Sequence, residues 1–111
     1  MKLITKEIEG AFAKQGDTSQ KEMKDIKIVV KFFGGGACSW YLYEKIDEDT
    51  YMGYVNMGDP EMSECGYVSM SELKAIKFPP FGLGIERDLY FKPLSHSLQD
   101  VMDTVKSGGH V

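Results

Sequence analysis

The chain has 111 residues, and its composition of 42% hydrophobic, 27% charged and 12% aromatic residues excludes collagen-like and disordered classes. Its length predicts a single domain over residues 1–111 with one hydrophobic core. The formal net charge is −4, no apolar run approaches the ~20 residues that cross a bilayer, and the first residues become charged too early for a secretory signal.

The predicted elements begin with a short helix over residues 6–14, for which Thr5 is the N-cap and Gly16 the stop signal. The polar stretch at residues 15–25 predicts an exposed connection. Alternating apolar residues between turn signals then predict three strands, at residues 26–33, 38–45 and 51–57.

Turn signals separate these strands. Three glycines at residues 34–36 predict a flexible hairpin turn, because the lysine and hydroxyl residue of a phosphate-binding loop are missing. The acidic residues 47–50 form the next turn, and Gly53 marks a bulge or a close approach within the third strand. Trp40 and Leu42 are expected on the inner face of the sheet.

The second half of the chain predicts a short strand at residues 67–68 that runs into a brief helix, since Ser69 and Glu72 have the spacing of a capping box. Residues 85–91 predict a last strand, and Ser95 caps a final helix. The apolar face of that helix consists of Leu98, Val101, Met102 and Val105. The predicted fold class is therefore α+β, a mainly antiparallel β-sheet of about five strands with N-terminal, central short and C-terminal helices on one face.

The charge is concentrated in the middle of the chain. Residues 44–72 contain one lysine and eight acids, a balance of −7. A phosphate backbone would be repelled by this segment, so duplex nucleic acid is not an expected partner. The segment fits a solvated face, an acidic surface for a basic partner, or a carboxylate metal site.

Cysteine and histidine are too sparse for the usual metal and redox motifs. Cys38 and Cys65 belong to no C-x-x-C pair, and His96 and His110 belong to no zinc-ligand pattern. No cofactor and no catalytic residue is predicted. Reduced cysteines in a cytoplasmic protein are expected, packed as small apolar groups, although a single disulfide stays open if their strands are neighbours.

The densest polar cluster is Glu86-Arg87-Asp88. On a strand, the two carboxylates share one face about 6.6 Å apart. Such a pair suits Mg²⁺ binding or acid–base chemistry. The structural alternative is that Arg87 forms a bidentate pair with Glu44 or Glu72.

Aromatic residues on neighbouring strands suggest a second kind of site. Single-strand binders combine stacking rings with a basic groove, and Lys27 and Lys31 lie close to these rings in the sequence. The alternative is packing in the core or across strands. The rings concerned are Phe32, Phe33, Trp40, Tyr41, Tyr43, Tyr51 and Tyr54.

The chain carries ACSW at residues 37–40, GYVSMSEL at residues 66–73 and FGLGIERDLY at residues 81–90. Together these blocks resemble a small bacterial, plasmid and phage family known as the domain of unknown function 2958, over nearly the whole chain. The resemblance implies a cytoplasmic accessory protein, often carried on mobile DNA, with no established reaction. The polar signature of the family falls on Trp40, Glu44, Glu72, Glu86, Arg87 and Asp88.

Three hypotheses follow. The leading one is a non-enzymatic module that binds a protein partner in phage, plasmid or bacterial host interplay through the six signature residues. The first alternative is a metal-assisted hydrolase or nucleotide-processing enzyme that uses the Glu86-Arg87-Asp88 cluster. The second alternative is single-stranded nucleic-acid binding by the sheet aromatics.

Overall fold

A computed structural model of the protein describes residues 2–109 and 111, so Met1 and His110 lie outside the described residues. The helices are α1 (Lys6–Gln15), α2 (Met70–Ala75) and α3 (Leu98–Lys106). The strands are β1 (Val30–Gly34), β2 (Cys38–Lys45), β3 (Thr50–Met57), β4 (Glu64–Ser69) and β5 (Glu86–Arg87), and a 3₁₀ turn, Pro60–Met62, precedes β4. The strands form one antiparallel sheet in the order β4-β3-β2-β1-β5, which confirms the α+β class.

Both faces of the sheet are buried, which corrects the prediction that the helices lie on one face. Residues of α1 and α2 pack on the face that carries Trp40 and Leu42, here called the Trp40 face. Residues of α3 pack on the opposite face, which carries Tyr41, Tyr43 and Tyr54 and is called the Tyr41 face. The alternation predicted for β2 is therefore confirmed, and both sets of its side chains belong to a core.

Two predicted strands are shorter in the structure. Residues before β1 stay extended but bond to the chain that precedes α3, since the Ile28 amide donates to the His96 carbonyl and the Leu94 amide donates to the Ile28 carbonyl, both at 2.8 Å. The last strand ends at Arg87 because the Asp88 carboxylate accepts a hydrogen bond from the Tyr90 amide (2.9 Å) and turns the chain.

The helix caps are largely those predicted. Thr5 caps α1, and Ser69 caps α2. The N-cap of α3 is Ser97, not Ser95, because the Ser95 hydroxyl donates to the Lys92 carbonyl (2.6 Å) and is engaged in the preceding turn. Within the described residues, every helix is too short and too polar to cross a bilayer.

The connection after α1 is less exposed than predicted. Gln15 is the last residue of α1 and is buried, and Thr18 is buried as well. The Gln15 side chain bonds to the Lys27 carbonyl (2.6 Å) and accepts from the Lys27 amide (2.8 Å). These bonds fasten the end of α1 to the extended chain before β1, which explains why a polar residue is buried there.

The three-glycine turn between β1 and β2 is confirmed and has a packing reason. Gly35 and Gly36 have φ of 61° and 79°, in the left-handed region that favours glycine. The Phe78 ring lies against this turn, so a Cβ on Gly34 or Gly35 would come within 2.5 or 2.7 Å of it.

Candidate binding groove at the sheet edge

The six signature residues do not converge; they occupy three separate places. Trp40 and Glu72 line a groove between β4 and α2. The Glu86-Arg87-Asp88 cluster lines a cavity of about 210 Å³ at β5. Glu44 lines an open cleft of about 800 Å³ between α1 and the end of β2. Because β4 and β5 are the two edges of the sheet, four strand spacings, or about 19 Å, separate the first two places.

The groove between β4 and α2 has a volume of about 200 Å³ and is called the β4 groove below. Its apolar lining consists of Trp40, Val55, Val68, Leu73 and Ile76. Met57 lies at its rim and is 62% exposed, and Tyr67 lines it from β4, although strand alternation directs the Tyr67 ring to the opposite face of the sheet. Glu72 supplies a carboxylate at the same groove. Large apolar side chains are thus held at a site that solvent reaches.

Gly66 does not itself line the groove, but it has open space next to Val68, which does. It lies in the middle of β4, its φ is not in the left-handed region, and a Cβ built on it would meet no atom within 4 Å. The space at its partner in β3, Gly53, is occupied, because a Cβ there would lie 2.6 Å from Leu42 Cδ2. Gly53 thus confirms the predicted close approach, next to a register shift in β2 after Leu42. Gly66 has no such packing reason.

The wall formed by α2 is fixed by Asp49 of the acidic turn. The Asp49 carboxylate accepts hydrogen bonds from the Ser69 hydroxyl (2.6 Å), the Ser71 hydroxyl (2.9 Å) and the Ser71 amide (2.8 Å). The hydrogen bonds from Ser69 and Ser71 hold the pKa of Asp49 below its ordinary value of 3.8. A turn that the sequence predicts as merely acidic therefore positions one side of the groove.

On the opposite face of β4, the Cys65 thiol lies beside Tyr43. Burial raises the pKa of both groups, and contact with the thiol raises the pKa of Tyr43 further. A thiol with a raised pKa is a poor nucleophile at neutral pH. Cys38 and Cys65 are both free, since β3 lies between their strands, so the open question of a disulfide is answered.

The cluster at β5 serves mainly to hold the local chain. Arg87 Nε donates to the Lys2 carbonyl (3.1 Å). Asp88 Oδ2 lies 3.8 Å from Lys31 Nζ, and Asp88 Oδ1 accepts from the Tyr90 amide. Glu86 is exposed, and among the described residues no third acid lines the cavity. Within residues 2–109 and 111, no three His, Cys, Asp or Glu side chains are grouped as a metal site requires.

Glu44 is a structural tether in the third place. Its carboxylate accepts hydrogen bonds from the Thr18 amide (3.0 Å) and the Thr18 hydroxyl, so it holds the connection after α1. The cleft beside it is strongly acidic, and the Lys45 ammonium lies 3.4 Å from Glu9. Neither partner predicted for Arg87 is placed beside it, since Glu44 bonds to Thr18 and Glu72 lies at the β4 groove.

The sheet aromatics form no stacking platform. Six of the seven rings named above are buried in one or the other core, and Phe33 alone among them is exposed, at 39%. Stacking needs an open ring face, so these residues do not provide the predicted surface. The large exposed rings of the described residues lie elsewhere, at Tyr67, Phe81 and Tyr90.

Sequence reasoning missed two contributors to the β4 groove, Asp49 and Gly66. A signal for Gly66 existed, because a glycine in the middle of an apolar strand marks a close approach or a gap. No comparable signal existed for Asp49, because its partners are 20 and 22 positions away in the sequence.

Comparison with known families agrees with the motifs. The model of the family described as "Protein of unknown function (DUF2958)" matches residues 3–111. The chain belongs to this family. Among curated proteins and among solved structures, no match was found. In this member of DUF2958, two signature residues, Trp40 and Glu72, share the β4 groove, and the other four lie outside it.

Proposed function

We propose that the protein is a non-enzymatic protein-binding module whose β4 groove receives a protein segment with apolar and basic side chains. The observation that carries this proposal is the open space over Gly66 beside the apolar lining of the groove. When an apolar group from a partner fills apolar space that the protein's own side chains leave open, the burial makes the free energy of binding more favourable.

The size and rim of the groove favour a protein over a small molecule. Small-molecule sites usually have volumes of about 300–1,000 Å³ and enclose their ligand. The β4 groove is smaller, at about 200 Å³, and lies along a sheet edge. Exposed Met57 at the rim belongs to a residue type that is enriched at protein interfaces.

The charge around the groove favours a basic partner. Residues 57–72 contain four acids, Asp59, Glu61, Glu64 and Glu72, and no lysine or arginine. Complementary charge speeds encounter and selects against acidic partners. The family resemblance adds the expectation that the partner is a protein of a bacterial host, phage or plasmid, met in the cytoplasm.

A defined peptide tests this proposal. The probe is the capped peptide Thr-Lys-Thr-Val-Thr-Lys-Thr, in which valine suits the gap over Gly66 and the lysines suit Glu64 and Glu72. Trp40 lines the groove and is the only tryptophan of the chain, so its emission reports binding. We expect a saturable emission change with the probe, and about tenfold weaker binding when both lysines become glutamate or the valine becomes serine.

Two matched variants locate the site. Gly66→Leu places a side chain in the open space, and we expect it to weaken probe binding at least about tenfold. Gly10→Leu adds the same side chain at an exposed position of α1 and should leave binding unchanged. Equal affinity of Gly66→Leu and the unaltered protein, or no response to the probe at all, would overturn the proposal.

A further inference from the structure

We infer that the partner segment binds as an additional β-strand along the outer edge of β4, so that its backbone is recognised together with its side chains. This inference rests on the proposed function and specifies how the β4 groove is used. Within the described residues, β4 pairs with β3 on one side and has no strand on the other.

The register shows which backbone groups face the open side. The Met70 amide donates to the Asp49 carbonyl (2.8 Å), and these two residues continue the register in which Ser69 opposes Thr50. In an antiparallel pair, hydrogen-bonded and non-bonded positions alternate. Residues 64, 66 and 68 therefore bond to β3, whereas Cys65 and Tyr67 direct their amide and carbonyl groups away from it.

These outward groups have no intramolecular partner among the described residues. No hydrogen bond from a loop or side chain within residues 2–109 and 111 reaches the backbone of Cys65 or Tyr67. The strand also contains no lysine and no proline, the residues that usually protect an exposed edge. A row of open donors and acceptors of this kind is what strand addition requires.

The side-chain positions agree with the same geometry. In an added strand, the residue opposite Gly66 projects to the same face as Gly66, which is the Trp40 face. Its neighbours two positions away on that face lie opposite Glu64 and Val68, near the carboxylates of Glu64 and Glu72. An extended segment with one apolar residue between two basic residues at every second position is therefore the partner that fits.

A scan of single backbone N-methyl groups along the probe tests strand addition. N-methylation removes an amide donor, and in an added strand only every second amide bonds to β4. We expect about tenfold weaker binding at alternate positions and little change at the positions between them. The sequence of the probe is the same in both directions, so the direction of the added strand is shown by which amides matter. Weaker binding after N-methylation of the threonines beside the valine indicates antiparallel addition, and weaker binding after N-methylation of the valine indicates parallel addition.

Amide hydrogen exchange gives a second readout on the protein. The probe should slow exchange at Cys65 and Tyr67 but not at Gly66 and Val68, whose amides already bond to β3. Strand addition would be overturned if the probe binds and Gly66→Leu excludes it, yet the N-methyl scan shows no alternation and the amides of Cys65 and Tyr67 are not protected from exchange. The β4 groove would then remain the proposed binding site. A probe that does not bind at all would overturn the proposed function itself.

Discussion

The two edges of the sheet are built differently. The β5 edge has two residues, and Asp88 ends it by bonding to the Tyr90 amide and lying near Lys31. The β4 edge has six residues, with Gly66 at its middle and an apolar groove on one side. One edge is short and ends in a turn, while the other keeps open backbone groups and open space at Gly66.

The β4 edge lacks the features that usually prevent a strand edge from pairing with another chain. An exposed strand edge invites pairing with other chains, and proteins usually shorten it, charge it or interrupt it. The β5 edge follows that rule through its length. The β4 edge has Glu64 at one end and Ser69, the α2 cap, at the other, with no positive charge between them. An edge left in this state is explained if a partner covers it.

The largest expected effect is a difference in the free energy of unfolding between a substitution in the floor of the groove and one in the turn after β5. Trp40 is 4% exposed and belongs to the core, so Trp40→Ala should lower the free energy of unfolding by about 3–5 kcal/mol. Tyr90 is 95% exposed, and Tyr90→Ala should change it by less than about 0.5 kcal/mol. Urea unfolding monitored by circular dichroism measures both. Similar losses would mean that the β5 turn is packed against something.

The next largest effect is a difference in stability between substitutions at two glycines that oppose each other, one in β3 and one in β4. Gly53→Ala forces a Cβ to 2.6 Å from Leu42 Cδ2 and 3.1 Å from the Tyr41 carbonyl, so it should cost about 1–3 kcal/mol of stability. Gly66→Ala meets open space and should be neutral or stabilising by up to about 1 kcal/mol, since alanine loses less backbone entropy. Matched urea curves decide this, and a destabilised Gly66→Ala would show that the gap is needed for folding.

A smaller effect concerns the wall of the groove. Asp49→Asn replaces the carboxylate that accepts from Ser69 and Ser71, and we expect the melting temperature at neutral pH to fall by a few degrees. Because the pKa of Asp49 is lowered on folding, its contribution is complete above its ordinary value of 3.8 and is lost as the pH falls through the lower folded value. The difference in melting temperature between the unaltered protein and Asp49→Asn should therefore become smaller below pH 3.8.

The matched control for this variant is Asp17→Asn. Asp17 is exposed, and a backbone hydrogen bond from Ser19 lowers its pKa, but it lies away from α2. Probe binding should weaken in Asp49→Asn and stay unchanged in Asp17→Asn. A pH-independent difference between Asp49→Asn and the unaltered protein would mean that the charge of Asp49 is not what fixes α2.

Local patterns predicted the elements well where a single physical signal decided them. The caps at Thr5 and Ser69 and the close approach at Gly53 follow from residue chemistry within a few positions. The start of β1 did not follow, because it depends on bonds to a distant segment, such as that between Leu94 and Ile28. The end of β5 was missed although its cause is local, since the Asp88 carboxylate accepts from the Tyr90 amide. The second covered face was missed because strand alternation alone does not show which face a later helix covers.

The site was predictable only in part for a related reason. Trp40 and Glu72 were named from the family resemblance, and they do share the β4 groove. Glu44 and Asp88 were named with them but serve tethering contacts to Thr18 and Lys31. Polar side chains that hold loops and polar side chains that meet a partner look alike in a sequence, and only the contacts distinguish them.

The smallest expected effect tests whether the β5 edge is independent of the β4 groove. In Asp88→Asn the amide oxygen still accepts from the Tyr90 amide, and Lys31 keeps the Val111 carbonyl at 2.8 Å and the Tyr41 ring. Stability should therefore fall by less than about 1 kcal/mol. Probe affinity at the β4 groove should not change, as measured by the same Trp40 titration. A clear loss of affinity would show that the two edges act together, because three strands lie between β4 and β5 and that distance excludes direct contact between Asp88 and the probe.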